Sequence, residues 1–329
     1  MVSGLGIAFD DPSLEARVRA GVDEVERQLA EAVDSPEQFV AEAAAHLLRA
    51  GGKRFRPLLL TLCAEFGDPS ASGVVPSAVV VELTHLATLY HDDVMDEAAM
   101  RRGAESANAR WTNSLAILVG DYLFAQASEI VADLGTDAVR IQAQTFSRLV
   151  QGQIRETVGP GDTDPLDHYL SVVADKTGSL IATSALFGAM MAGAGVDVQQ
   201  TLTAFGERIG LAFQLSDDIL DIASETDHSG KTPGTDLREG VPTLPVLLAL
   251  RSSDPGDARL RSLLARPLTD DAEHAEALAG LRAHSAMDEA RAYVQAEADA
   301  ARLLLDDLPQ NPAREALRAL CDTVAIRLS

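Results

Sequence analysis

The stretches HLATLYHDDVMD (residues 85–96) and FGERIGLAFQLSDDILD (205–221) decide the fold class of this chain. Each places apolar residues three or four apart, the period of a helix with one buried face, and each ends in the pentad Asp-Asp-x-x-Asp. Residues four apart share a helix face, so Asp92 projects with Asp96, and Asp217 with Asp221. Three carboxylates this close repel one another unless a cation neutralises them. An all-oxygen donor set suits Mg²⁺, which keeps waters and binds through one or two carboxylates plus substrate phosphates. A single such pentad reads more readily as a solvated helix end or a surface face. Here it occurs twice, 217 − 92 = 125 residues apart, at the ends of strongly apolar helices where bare charge is costly. A bundle could set two such helices face to face across a cavity.

Working outward, the same period predicts helices over 12–32, 36–50, 54–66, 76–96, 113–134, 137–157, 165–193, 198–224, 242–251, 257–266, 270–283, 285–307 and 310–328. Breaks fall at Gly51-Gly52, Gly67-Asp68-Pro69, Gly159-Pro160-Gly161 and between Ser229 and Gly240. Ser35-Pro36 and Asp164-Pro165 read as helix starts. Strand-like alternation is nearly absent. No low-complexity linker divides the chain, so residues 1–329 are expected to form one all-α domain, a large bundle around a central cavity. The tail beyond residue 252 is acidic, rich in Ala and Leu, and reads as bundle packing.

The 329 residues carry 27 Lys and Arg against 50 Asp and Glu, a net charge of −23 that argues against nucleic acid as a partner. Cys63 and Cys321 lie in apolar helical stretches without metal-ligand spacing and read as buried thiols in a reducing compartment. The first residues lack a basic segment followed by an apolar core, so no secretory signal is expected. Thr177–Val196 runs 20 residues without a charge, but Gly, Ala, Ser and Thr dilute it, and a buried helix is the better reading than a membrane span. A soluble, cytoplasmic protein with no transmembrane segment is expected.

In a chain short of positive charge, Gly51-Gly52-Lys53-Arg54-Phe55-Arg56-Pro57 places three cations in four positions at a helix start. Arg101-Arg102-Gly103 follows the first pentad, and Lys176-Thr177 and Lys231-Thr232 are further isolated basic sites. Such groups at helix starts are apt for phosphate, which arginine grips in bidentate fashion. Any one of them alone is explained by a solvated ion pair. Together they bracket two carboxylate clusters.

GGKRFRP (51–57), HDDVMD (91–96), RRG (101–103), GDYLFA (120–125), KTGSL (176–180), FQLSDDILD (213–221) and GKTPGTDLREG (230–240) occur in this order. In that ordered set the chain resembles the trans-isoprenyl diphosphate synthases, the polyprenyl synthetase family, over nearly its whole length. The resemblance implies an all-α homodimer that joins isopentenyl diphosphate to an allylic diphosphate using Mg²⁺. It implies that Lys53, Arg56, His85 and Arg102 hold isopentenyl diphosphate. Asp92, Asp96 and Asp217, supported by Asp93, Asp218 and Asp221, would hold the Mg²⁺ ions. Arg101, Lys176 and Lys231 would touch the allylic diphosphate, and Thr177 and Gln214 would line the path of the developing cation. Two departures stand out: Gln153 in QGQ (151–153), where relatives often carry Glu, and Val241, where lysine is frequent.

Relatives limit product length with bulk just before the first pentad. Here those positions are Ala87 and Thr88, and the face continues through Thr84 or Leu83 to Val80 with no aromatic residue. A long product of the quinone side-chain type is therefore expected, with Leu83, Phe124 and Phe146 as candidate floor residues. A geranylgeranyl-type medium-chain synthase and a non-catalytic subunit of a heteromeric synthase stay open as alternatives. A terpene cyclase lacks the GGKRFRP site.

Overall fold

The computed structural model describes residues 6–224 and 233–326. Its helices are α1 (Pro12–Ala32), α2 (Gln38–Ala44), α3 (His46–Arg49), α4 (Phe55–Ala64), α5 (Val74–Met95), α6 (Ala107–Arg110), α7 (Asn113–Asp133), α8 (Thr136–Val158), α9 (Pro165–Val173), α10 (Ser179–Met191), α11 (Val196–Ala223), α12 (Thr235–Glu239), α13 (Leu244–Leu250), α14 (Ala258–Leu264), α15 (Asp271–Ala283), α16 (Ser285–Leu304) and α17 (Pro312–Ile326). Among the described residues the sheet content is one two-stranded ribbon, β1 (Met100–Arg101) and β2 (Ala104–Glu105). The fold is all-α.

The backbone groups into two compact units. One comprises the described residues of Met1–Ser147, Leu180–Gly206 and Leu304–Ala319; the other those of Arg148–Ser179, Glu207–Leu303 and Leu320–Ser329. In the first, α5 packs against α1, α4 and α7. Leu59, Leu60 and Leu62 of α4 and Val80, Val81, Leu83 and Leu86 of α5 are fully buried. Each such side chain contributes about 1.5–3 kcal/mol relative to exposure, which is why α5 can end in three acids and still be held in place. Tyr90 fastens α5 to the preceding helices: its buried hydroxyl donates to Ala43 O at 2.5 Å and accepts from Leu47 N at 3.2 Å. In the second unit, Ile209, Leu215, Ile219 and Ile222 give α11 its buried face.

Local chemistry sets the ends. Asp11 caps α1, accepting from Ser13 N at 2.7 Å and Leu14 N at 3.1 Å, with Pro12 at the first position. Asp164 caps α9 in the same way. Ser35-Pro36 does not start a helix; α2 begins at Gln38 after Glu37, which makes no side-chain cap. The helix expected over 165–193 is interrupted by a π turn at Ala174–Gly178. Consequently the charge-free stretch 177–196 forms only the 13-residue α10 beyond that turn, and its residues are largely buried. Among the described residues the helix long and apolar enough to cross a membrane is instead α7, and only 33% of its apolar window is buried. Ile117 and Leu118 on α7 are 43% and 62% exposed. Cys63 and Cys321 are free and buried, and burial raises both thiols, Cys321 to about 12.

Candidate active site

In the first unit the chain reverses at Gly51-Gly52 and enters α4 through Arg54, whose backbone is left-handed at φ 47°. A side chain at Gly52 would meet Arg54 Nη1 at 2.8 Å and Arg102 Cζ at 3.1 Å, so glycine is what lets these two guanidinium groups converge. Arg54 is held by Glu26 and, at 3.2 Å, by the buried Glu82. Burial pulls its pKa down, but those carboxylates outweigh burial and leave it above the ordinary arginine value. Arg54 is thus an internal brace, and its neighbours carry the binding chemistry.

Burial pushes Arg56 down to about 10, with Glu82 opposing and Arg102 adding to the shift. Its Nε is buried and has no hydrogen-bond partner in the protein. Arg102 Nη1 donates to Leu47 O at 3.1 Å and also to Gly51 O. Its pKa is lowered, first by burial and further by Arg54 and Arg101 against the pull of Glu82. His85 is held well below the usual imidazole range by burial and then by Arg56, Arg102, Arg54 and Arg101. Arg56, His85 and Arg102 therefore come together as a desolvated cationic cluster around a single buried acid, a place where an anion lowers the energy of every member. Lys53 stands at the same turn and is exposed.

The first pentad closes α5. Asp93 is fully buried and accepts from Arg101 Nε at 2.5 Å, while its Oδ2 is buried without a partner. Burial raises its pKa against the opposing pull of Arg101. Asp96, half exposed, lies 3.8 Å from Arg101 Nη2. Arg101 and Arg102 reach different partners because they sit on a hairpin, with Arg101 paired to Ala104 across Arg102-Gly103. Both loop residues have positive φ, 53° and 76°, as a type I′ turn requires.

Of the chain-length positions, Ala87, Leu83 and Thr84 are buried and Thr88 nearly so. Phe124 and Phe146 do stack, at 4.3 Å between centroids, but Phe124 also lies 5.8 Å from the ring of His91, level with the carboxylates. Deeper in this unit are two polar rungs absent from the sequence reading: Gln142 Nε2 to Thr84 Oγ1 at 2.5 Å, and Thr145 to Thr183 at 2.6 Å.

In the second unit, α11 carries Asp217, Asp218 and Asp221. Asp218 is buried, accepting from Gln214 Nε2 at 2.9 Å and from the Tyr169 hydroxyl. Burial raises it to about 6; the Tyr169 and Gln214 hydrogen bonds pull down, and Asp217 and Asp221 push up. Thr177 Oγ1 donates to Gln214 Oε1 at 3.2 Å, so Thr177, Gln214, Asp218 and Tyr169 form one chain. Tyr169 is the member sequence reasoning missed; a tyrosine on the helix opened by Asp164-Pro165 was the available signal. Thr177 and Lys176 lie in the π turn, a geometry frequent at functional sites. Asp175 within it is gripped by Arg148 at 2.9 Å and by Arg155. Lys176 Nζ is 2.6 Å from Glu156. Gln153, the departure in QGQ, leaves a buried Oε1 without a partner. Lys231 lies outside the described residues.

Among the described residues no three acidic, His or Cys side chains form a metal nest on their own. The donor set still fits Mg²⁺, since that ion takes one or two carboxylates and completes its shell with water and substrate oxygens.

A profile of the polyprenyl synthetase family matches residues 37–281. Over 324 residues the chain is 51% identical to a nonaprenyl diphosphate synthase of Mycobacterium tuberculosis, covering 98% of this chain and 97% of that one. A crystal structure of geranylgeranyl pyrophosphate synthase from Corynebacterium glutamicum, complexed with calcium and isoprenyl diphosphate, matches with a TM-score of 0.89 at 50% identity over 98% of this chain and 99% of that one. A decaprenyl diphosphate synthase from Rhodobacter capsulatus matches with a TM-score of 0.87 at 32% identity, covering 96% and 99%.

Proposed function

This chain belongs to the polyprenyl synthetase family, and from that premise we propose that it is a Mg²⁺-dependent prenyltransferase. It condenses isopentenyl diphosphate head-to-tail onto an allylic diphosphate to make a long-chain all-trans polyprenyl diphosphate, a quinone side-chain precursor. The observation that carries this reading is the cationic cluster: Arg56, whose Nε is buried without a partner in the protein, beside Arg102 and a neutral His85. Desolvated guanidinium groups that share the one acid Glu82 are short of negative charge, and a diphosphate offsets that cost.

Lys53, Arg56, His85 and Arg102 hold the diphosphate of isopentenyl diphosphate. Arg101, Lys176 and Lys231 bind the allylic diphosphate. Asp92, Asp96 and Asp217 are the principal Mg²⁺ ligands, with Asp93, Asp218 and Asp221 in support. Bound there, Mg²⁺ supplies the charge neutralisation that lets diphosphate depart. Lys176 exchanges Glu156 for substrate oxygens, and Thr177 and Gln214 turn their oxygens toward the allylic cation. The double bond of isopentenyl diphosphate attacks that cation, and the departing diphosphate takes the proton released on elimination. No side-chain nucleophile is needed. Electrostatic stabilisation of the leaving group dominates the rate.

The small residues Ala87 and Thr88 support a long product, as does the likeness to a nonaprenyl diphosphate synthase. The likeness to a geranylgeranyl pyrophosphate synthase keeps a medium-chain product as the second reading. The exposed Ile117 and Leu118 on α7 support a homodimer, and residues 1–329 act as one catalytic domain in the cytoplasm. Incubating the purified protein with radiolabelled isopentenyl diphosphate and each allylic primer, then sizing the products, tests the reaction and the chain length together. Absence of any condensation with every primer refutes the proposal.

A further inference from the structure

Helix α15 belongs to the tail that reads as bundle packing, yet it reaches the backbone that orients Asp221. His274 on α15 is 5% exposed, and its Nε2 lies 2.9 Å from Gly234 O. Gly234 has a left-handed backbone at φ 72°, and a Cβ there would sit 2.8 Å from His274 Nε2, so glycine is needed for imidazole and backbone to meet. The Gly234 N–H donates to Asp221 O at 2.8 Å, and the Asp236 N–H donates to Asp221 Oδ2 at 3.3 Å. One carboxylate oxygen of Asp221 is thus directed by the segment that His274 fixes.

The far end of α15 reaches the same helix directly. Arg282 Nε and Nη2 donate to Ile222 O and Ser224 O, each at 2.7 Å, taking up carbonyls at the end of α11. Between the two grips, Arg238 pairs with Asp271 at 2.9 Å and Leu268 N donates to Leu237 O at 3.1 Å, which fastens α12 in place. A packing helix needs apolar contacts. It does not need a buried histidine on the carbonyl of Gly234, whose N–H bonds Asp221, and an arginine on the carbonyls of Ile222 and Ser224 just beyond that aspartate.

We infer that α15 is a positioning element for the second aspartate cluster, in which His274 sets the orientation of the Asp221 carboxylate through Gly234 and the Asp236 amide. His274 touches neither metal nor substrate; it acts by keeping one oxygen of Asp221 engaged so that the other keeps a fixed direction. Outer partners of metal ligands of this kind contribute strongly to affinity. The inference rests on the proposed metal role of that cluster.

The test compares wild type, His274→Ala, His274→Gln and Arg282→Ala. Two Mg²⁺ titrations are read: steady-state condensation, and the rise in melting temperature produced by Mg²⁺ with inorganic pyrophosphate. His274→Ala should raise the Mg²⁺ midpoint in both by on the order of tenfold, while kcat at saturating Mg²⁺ and KM for isopentenyl diphosphate stay near wild type. His274→Gln, whose amide can donate to Gly234 O, should recover most of that loss. Arg282→Ala should move the midpoints in the same direction, and it carries the test if His274→Ala fails to fold. Unchanged Mg²⁺ midpoints alongside a lowered melting temperature, or a parallel fall in every kinetic parameter, overturn the inference. A wild-type protein that shows the Mg²⁺–pyrophosphate shift but no condensation with any primer refutes the proposed function and leaves the positioning role to the melting data.

Discussion

The two acidic pentads are written alike and housed differently. In the first, the buried middle acid, Asp93, meets a cation, Arg101, and keeps one oxygen without a partner. In the second, the buried middle acid, Asp218, meets two uncharged donors, Tyr169 and Gln214, and its pKa rises to about 6. The difference teaches that each of these two helical pentads sends its middle carboxylate inward. The protein must then supply either a counter-charge or a set of neutral hydrogen bonds. A counter-charge ties the acid to a neighbouring loop; neutral donors leave it sensitive to pH.

The largest expected effect leaves the outward acids to answer whether the clusters are equivalent. Asp92→Ala and Asp217→Ala should each lower kcat by on the order of a hundredfold to a thousandfold, the scale of losing a pre-arranged electrostatic contact, with the circular dichroism spectrum unchanged. A large loss for one and near-normal turnover for the other would break the equivalence.

Next come the inward acids. Arg101→Ala strands a buried carboxylate and should destabilise the fold by about 3 kcal/mol in urea unfolding. Tyr169→Phe removes one hydrogen bond to a charged group and should cost about 1.5–3 kcal/mol by the same measurement. Equal losses would mean that a cation and a hydroxyl are interchangeable partners here.

The pH behaviour sharpens the contrast. Asp218 is raised from 3.8 to about 6, so the native state binds more protons than the unfolded chain between those values. Its contribution to stability is therefore most favourable at the acid end and is lost as pH rises through the folded value. Asp218→Asn should accordingly raise the melting temperature at pH 7–8 while weakening turnover. In wild type, the Mg²⁺ requirement should climb as pH falls through about 6, where Asp218 takes up its proton. In Tyr169→Phe that climb should begin at higher pH, because the hydroxyl is what holds the carboxyl down. The smallest effect on rate belongs to Ala87→Phe, which should shorten the product ladder on thin-layer chromatography with kcat for the first addition near wild type. An unchanged ladder would remove Ala87 from chain-length control.

How far the sequence could be read follows from the range of each signal. The pairing of Asp92 with Asp96, and of Asp217 with Asp221, is a property of helical pitch and is visible in four residues. The gathering of Arg56, His85 and Arg102 spans residues 56 to 102 but was legible through motif resemblance. Tyr169 was not, because its partner lies 49 residues away and no local period links them. The π turn at Ala174–Gly178 was hidden for a different reason: one extra residue in a turn shifts helical phase without removing apolar character, so 165–193 reads as unbroken. The ribbon at 100–105 has two residues per strand, too few for an alternating pattern. His274 and Arg282 act on backbone carbonyls, and a carbonyl is present at every residue. Composition cannot say which one is taken.

Arg54 and Arg102 share one more property: both hold backbone angles that glycine adopts with ease and arginine does not, at φ 47° and 53°. Each residue of this kind raises the energy of the fold by about 1–3 kcal/mol. Swapping either for glycine would relax the main chain and erase a guanidinium in the same stroke. At Arg54 the strain is offset by the ion pairs to Glu26 and Glu82, but at Arg102 heat resistance and turnover are set against each other, so a screen that rewards thermal tolerance alone would drift there toward a sturdier chain with a depleted anion pocket.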